Sequence, residues 1–323
     1  MKIFVAVLLL IVALFLVIKG GDVFVDSSQD IAKRLKIPSL VFGATIASIA
    51  TTLPELLIAI FSSLDGTTDL AVGNAVGSLL CNYGLIFGIC FAYKGCDLSK
   101  GGMLKYYLSL LVAFVIFGFG LFFEITNVMA YILLGLTVLY FVVNYIDSLT
   151  TNKKSPKKNV QEKKQKPLWL TILLFILGAG AIGGGAYLLV DKVEYLAKVI
   201  GISEEFVGLT IVAVGTSLPE LVIVLNAIKG DSPYLAVGNV IGSSILNVTL
   251  ILGVSKLVAF NSKMVITKET AYISLSLALL FSLLLLLPIL ITKKTYRWQG
   301  LVFLGLYILY IVYLVLNVIF KFI

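Results

Sequence analysis

Apolar stretches of helical length recur from one end of the chain to the other, separated by short polar breaks. A helix rises 1.5 Å per residue, so about 20 apolar residues cross a hydrocarbon layer of roughly 30 Å. On that measure the sequence predicts ten spanning helices, over residues 3–19, 39–62, 70–94, 104–122, 127–147, 168–190, 204–228, 234–256, 269–291 and 299–320. The first resembles a cleaved signal peptide in position only. It lacks a small-residue cleavage site and leads into an amphipathic stretch carrying Lys33, Arg34 and Lys36, so it reads as a retained helix.

Composition narrows the class. The 323 residues are 60% hydrophobic and only 13% charged, with a mean hydropathy of +1.08, which excludes an ordinary soluble domain. Seven lysines, Lys153, Lys154, Lys157, Lys158, Lys163, Lys164 and Lys166, crowd the polar segment 148–167, which has no apolar period and reads as a cytoplasmic linker. It separates a first unit, 1–147, from a second, 168–323. With both termini outside the cell, about 18 of the 25 basic residues fall on the cytoplasmic side, as cytoplasmic loops require. The net charge of +8 is then a matter of loop orientation and anionic headgroups, not of nucleic-acid binding. Cys81, Cys90 and Cys96 form no disulfide or redox pattern and read as small core or loop residues.

Self-comparison turns a generic membrane chain into a specific one. Residues 43–88 contain TTLPELL and, further on, LAVGNAVGSLLCN; residues 208–253 contain TSLPELV and LAVGNVIGSSILN. About 20 of 46 positions match without a gap, every pair 165 residues apart, and Asp26 and Asp191 at the expected ends of the first and sixth helices keep the same spacing. Five helices is an odd number, so the second half must enter the membrane in the opposite sense. The expected fold is all-α, ten transmembrane helices as two inverted five-helix repeats, a recurrent plan of secondary transporters with the substrate held near mid-membrane.

Each repeat sets one glutamate, Glu55 or Glu220, deep in an apolar helix. An intramembrane carboxylate costs a few kcal/mol or more and needs a partner. No Lys, Arg or His occurs in the central part of either helix, which leaves a metal ion as the natural counter-charge. Pro54 and Pro219 directly precede the glutamates and would free the carbonyls of Ala50 and Gly215 to face inward. Hydroxyls of Thr51, Thr52, Thr216 and Ser217 add oxygen ligands. Ser78 with Asn82, and Ser243 with Asn247, lie one turn apart and share a face. Gly73, Gly77, Gly238 and Gly242 permit close helix approach. Asn74 and Asn239 are ambiguous between ion ligands and partners of freed backbone. An all-oxygen set without His or thiolate favours Ca²⁺ or Na⁺ over Zn²⁺, copper or iron, and Ca²⁺ over the stiffer Mg²⁺.

These segments resemble the two alpha repeats of the sodium/calcium exchanger family, whose hallmark is G-T-S-L-P-E followed by G-N-x-x-G-S and then N or D. The resemblance covers nearly the whole chain. It implies an antiporter exchanging Na⁺ for Ca²⁺ by alternating access, with the second, third, seventh and eighth helices building the ion site and the first and sixth forming a mobile pair. Gly20 and Gly21, and Gly178, Gly180, Gly183, Gly184 and Gly185, suit that sliding role. It further implies that Glu55 and Glu220 bind both ions, with backbone oxygens of Thr51 and Thr216. Thr52, Ser217, Ser78 and Ser243 would serve outlying Na⁺ positions, backbone oxygens at Ser48 and Ala213 further Na⁺ contacts, and Asn82 and Asn247 the centre. The chain departs from the motif at Ala50 and Thr52, where the family has Gly and Ser, and at Asn247, where some relatives carry Asp.

The resemblance in this minimal form, with a short linker and no regulatory Ca²⁺-binding domain, implies a prokaryotic type in the cell membrane. It needs no cofactor and no obligatory protein partner; its partners are Ca²⁺, Na⁺ and the lipid bilayer. Proton/calcium exchangers of the superfamily typically carry an acid where this chain has Ser78 and Ser243. Potassium-dependent relatives usually have Asp where it has Asn82 and Asn247. A cation channel would need rings of ligands around a continuous pore. An enzyme would need a nucleophile with a base, and the chain has no His.

Overall fold

In lipid the backbone has no water to bond to, so an apolar chain satisfies its own amides within helices. The computed structural model describes residues 2–34, 48–98, 104–151, 167–229, 233–260 and 262–322, and nearly all of them are helical. In chain order the segments are α1 (Lys2–Arg34), α2 (Ser48–Leu64), α3 (Thr68–Tyr93), α4 (Leu104–Gly120), α5 (Asn127–Thr151), α6 (Leu168–Ile200), α7 (204–229), α8 (233–258), α9 (Thr270–Thr292) and α10 (Arg297–Phe322). Among the described residues seven of these are long and apolar enough to cross a membrane, α2 and α4 being shorter apolar helices. The linker expected at 148–167 lies mostly outside the described residues.

Burial sorts the helices into inner and outer rods. In the most apolar window of α3 and of α8, 83% of residues are buried, against 22% in α1 and α10 and 28% in α6. α3 and α8 therefore form the middle of the protein, while Phe4 and Phe15 of α1 and Trp169 and Ile176 of α6 are exposed. α1 lies against α6 in antiparallel fashion: a methyl on Gly20 would meet Ala181 at 2.9 Å, and one on Gly185 would meet Val17 at 2.9 Å. Gly180 and Gly184, also expected at such a seam, face open space.

α1 and α6 overrun the predicted spans. α1 continues to Arg34 and α6 to Ile200, so Asp26 and Asp191 lie inside helices, exposed, instead of at their ends. The charged stretches keep helical periodicity, and a hydropathy reading stops where the apolar run does. Gly201, with φ of +80°, ends α6 in the left-handed conformation that a residue without Cβ adopts at no steric cost.

Two short backbone ladders join the connections. Glu124–Ile125 (β1), between α4 and α5, pairs antiparallel with Met264–Val265 (β2), between α8 and α9. Asp97, after α3, bridges to Lys294, between α9 and α10, with Leu98 N donating to Lys293 O at 2.8 Å.

Candidate functional site

α2, α3, α7 and α8 bring the singled-out residues together in the interior. Ser48, Thr51, Thr52 and Glu55 on α2, Ser78 and Asn82 on α3, Ala213, Thr216, Ser217 and Glu220 on α7, and Ser243 and Asn247 on α8 are all buried. Each glutamate is only 1% exposed. The repeats face each other: the Glu55 carboxyl neighbours the Thr216 side chain and the carboxyl of Glu220, and Glu220 in turn neighbours the Thr51 side chain.

Local structure departs from a plain helix where the sequence repeats. α7 stops at Thr216 and restarts at Leu218; between them Ser217 has φ −82° and ψ 1°. The break lies just ahead of Pro219, whose missing amide and ring oppose a continuous helix. Pro54 does not do the same, because α2 runs unbroken from Ser48 to Leu64. The expectation of broken backbone in both repeats thus holds for α7 alone. Asn82 and Asn247 each open a π-helical segment, Asn82–Phe87 in α3 and Asn247–Ile251 in α8. A slip to wider hydrogen bonding is rare in helices and concentrates at functional sites, because it re-aims side chains and loosens carbonyls.

Many of the buried polar atoms here lack a hydrogen-bond partner. They include both carboxylate oxygens of Glu55, Oε2 of Glu220, Oγ of Ser78 and Ser217, Oδ1 and Nδ2 of Asn82 and of Asn239, and Oδ1 of Asn74 and Asn247. A single such neutral group costs about 1–3 kcal/mol, and an unpaired buried carboxylate far more. Among the described residues neither glutamate has an ion-pair partner, and no group of three His, Cys, Asp or Glu side chains gathers. Two carboxyl groups ringed by neutral oxygens make a donor set suited to hard cations.

Other oxygens are partly used. The Thr51 and Thr52 hydroxyls donate to Ser48 O at 3.3 and 2.7 Å, and the Thr216 hydroxyl donates to Val212 O at 3.0 Å. Ser243 Oγ donates to Asn239 O at 2.7 Å. Asn74 takes the second of its two readings, donating from Nδ2 to Glu55 O at 3.2 Å, whereas the Asn239 amide has no partner. Sequence reasoning missed Cys81, buried beside Ser217 and within electrostatic reach of both glutamates, and Tyr140, whose hydroxyl lies against Gly242. Cys81 directly precedes Asn82 but is Leu in the other repeat, and Tyr140 reaches the site only through contacts distant in sequence.

Three comparisons place this geometry among known proteins. The family model described as sodium/calcium exchanger protein matches residues 5–146 and 170–316. The chain is similar to an uncharacterized membrane protein of Methanocaldococcus jannaschii, 32% identical over 93% of this chain and 94% of that one. It is also similar to the sodium/calcium exchanger MaX1 of Methanosarcina acetivorans, 29% identical over 95% and 97% of the two chains. Among solved structures it resembles the sodium-calcium exchanger NCX_Mj soaked with 2.5 mM Na⁺ and 0.1 mM Ca²⁺, with a TM-score of 0.68, 30% identity, and 95% and 98% of the chains covered.

Proposed function

Because the chain belongs to the sodium/calcium exchanger family, a family of multi-span membrane proteins, we propose that it is a secondary antiporter that moves Ca²⁺ against Na⁺ by alternating access. The observation that carries the proposal is the meeting of Glu55 and Glu220 from two repeats, buried, without protein cations, among orphaned oxygens. Two carboxylates neutralise one Ca²⁺, which accepts six to eight flexible oxygens at about 2.3–2.6 Å. The same carboxylates with Thr51, Thr52, Ser78, Asn82, Thr216, Ser217, Ser243, Asn247 and the backbone at Ser48 and Ala213 would hold Na⁺ ions in separate positions. Both occupancies draw on the same two charges, so they exclude each other and the cage serves the ions in turn.

The architecture belongs to this reading: ten spans in two inverted five-helix units, 1–147 and 168–323, joined by a cytoplasmic linker, in the cell membrane with both termini outside. The two backbone ladders support the inversion. The α4–α5 connection pairs with the α8–α9 connection, and the α3–α4 connection pairs with the α9–α10 connection. The α3–α4 and α4–α5 connections lie at opposite ends of α4. The corresponding connections of the two halves, α3–α4 and α8–α9, therefore lie at opposite ends of the molecule. α1 and α6 would be the moving pair, and they touch the site helices directly: Leu14 of α1 packs on Gly215, next to Thr216, and Leu57 of α2 reaches Gly183 of α6.

Sodium rather than proton coupling is favoured by Ser78 and Ser243, neutral and buried where proton-coupled relatives typically place an acid. Initial rates of ⁴⁵Ca²⁺ uptake into proteoliposomes separate the two. A Na⁺ gradient at equal pH is expected to drive uptake and a pH gradient without Na⁺ is not; the reverse result would replace Na⁺ by H⁺, and uncoupled Ca²⁺ current would replace the antiporter by a channel.

A further inference from the structure

The fifth and tenth helices carry a second repeat, Leu-Gly-Leu-x-x-Leu-Tyr, at 134–140 and 304–310, which makes Tyr140 and Tyr310 counterparts. Both are buried, 1% and 4% exposed. They are used differently. The Tyr310 hydroxyl shares a hydrogen bond of 2.8 Å with Ser274 Oγ on α9. The Tyr140 hydroxyl lies instead at the edge of the ion cage: a methyl placed on Gly242 would run into the Tyr140 oxygen and Ser48 Oγ. The two hydroxyls thus sit together over the bare Cα of Gly242, directly before Ser243, with Asn144 flanking Tyr140.

The corresponding corner of the other repeat is built differently. There Gly77 faces Ala213 Cβ and the Cα and O of Leu209, all within 2.8 Å of an added methyl, so that the methyl of Ala213 stands where Gly242 has the Ser48 hydroxyl. The two ends of the cage are chemically unequal, one carrying a pair of side-chain hydroxyls against its glycine and the other an alanine methyl.

We propose that Tyr140 is a positioning residue for Na⁺: its hydroxyl packs beside Ser48 Oγ, which has no hydrogen-bond partner of its own among the described residues, and confines it to the Gly242–Ser243 corner, so that this end offers a free neutral side-chain oxygen where the other end has the Ala213 methyl. This rests on the exchanger reading and adds to it a residue from α5, outside the two glutamate-bearing repeats, and an inequality between two outer Na⁺ positions. A neutral hydroxyl matters more to a monovalent ion at the edge than to Ca²⁺ between the carboxylates, so the effect is selective for Na⁺.

The test compares wild type, Tyr140→Phe, Ser48→Ala, the double variant, and Tyr310→Phe, which loses an equally buried hydroxyl away from the site. In proteoliposomes, Tyr140→Phe and Ser48→Ala are each expected to raise the half-saturating Na⁺ concentration about three- to tenfold, with that for Ca²⁺ within twofold. The double variant should be no worse than the stronger single one, since the two hydroxyls act as a unit. Tyr310→Phe should leave both constants near wild type. If a variant transports too weakly, the rise in melting temperature that Na⁺ gives the purified protein replaces the rate: it shrinks in Tyr140→Phe and Ser48→Ala while the rise given by Ca²⁺ remains. Unchanged Na⁺ dependence in a working exchanger, equal losses for Na⁺ and Ca²⁺, or the same shift in Tyr310→Phe overturns the assignment alone. A wild type that shows no Na⁺-driven uptake and no stabilisation by either ion overturns the exchanger reading with it.

Discussion

Gly77 offers the sharpest perturbation of the cage, because it acts through helix spacing without removing a proposed ligand oxygen. An added methyl would lie 2.7 Å from Ala213 Cβ and from Leu209 Cα, and 2.8 Å from Leu209 O. Two of these atoms are backbone and cannot rotate away. Carbon atoms rest about 3.5–4.0 Å apart, so α3 and α7 must part by roughly 0.8 Å or more. Overpacking of this kind costs about 1–3 kcal/mol, and a Ca²⁺ shell tolerates a spread of only about 0.3 Å in its oxygen distances. If that strain is set against ion binding, Gly77→Ala raises the half-saturating Ca²⁺ concentration about tenfold or more, at 1.4 kcal/mol per factor of ten. Gly180→Ala is the matched control, since its methyl would meet nothing within 4 Å. The assay is initial ⁴⁵Ca²⁺ uptake over a range of Ca²⁺ into Na⁺-loaded proteoliposomes, alongside the ion-free melting temperature. A folded Gly77→Ala protein with the wild-type Ca²⁺ constant would refute the reasoning.

Glu55→Gln and Glu220→Gln should each abolish Na⁺-driven ⁴⁵Ca²⁺ uptake, whereas neutralising Lys153, Lys154, Lys157 and Lys158 together should change the rate less than twofold; uptake by either Gln variant speaks against the cage. Gly178→Ala, whose methyl would stand 2.8 Å from Phe24 N across the α1–α6 seam, should lower the maximal rate several-fold while stabilisation by Ca²⁺ in a melting experiment persists; equal loss of both would mean the seam only holds the fold. Cys81, buried beside Ser217, should react with a small thiol reagent during turnover more slowly when Ca²⁺ saturates the protein, read by mass spectrometry; labelling indifferent to ions would place the thiol outside the ion path.

What the sequence made legible depended on the range of the physics involved. The glutamates could be found because an acid inside an apolar run is costly wherever the helix lies, and because the same string returns 165 residues later. Helix extents were readable only where apolarity set them, which is why α1 and α6 outran their predicted ends. The unequal fates of Pro54 and Pro219 were not readable, since the neighbours of a helix decide whether it bends or breaks. The π segments at Asn82 and Asn247 leave no periodic trace, because a single slipped hydrogen bond shifts the helix face by less than one residue. Tyr140 meets Ser48 and Gly242 across about a hundred residues of chain on either side, and no local pattern records that contact.

The strand pairs Glu124–Ile125 with Met264–Val265 and the bridge from Asp97 to Lys294 are small, yet they sit at opposite ends of the scaffold and tie each half to the other. A frame fastened at top and bottom resists splaying. In the proposed exchanger, travel would then be denied to the helices those ties join and left to helices they do not reach, α1 and α6 among them, much as a sash moves because its casing does not.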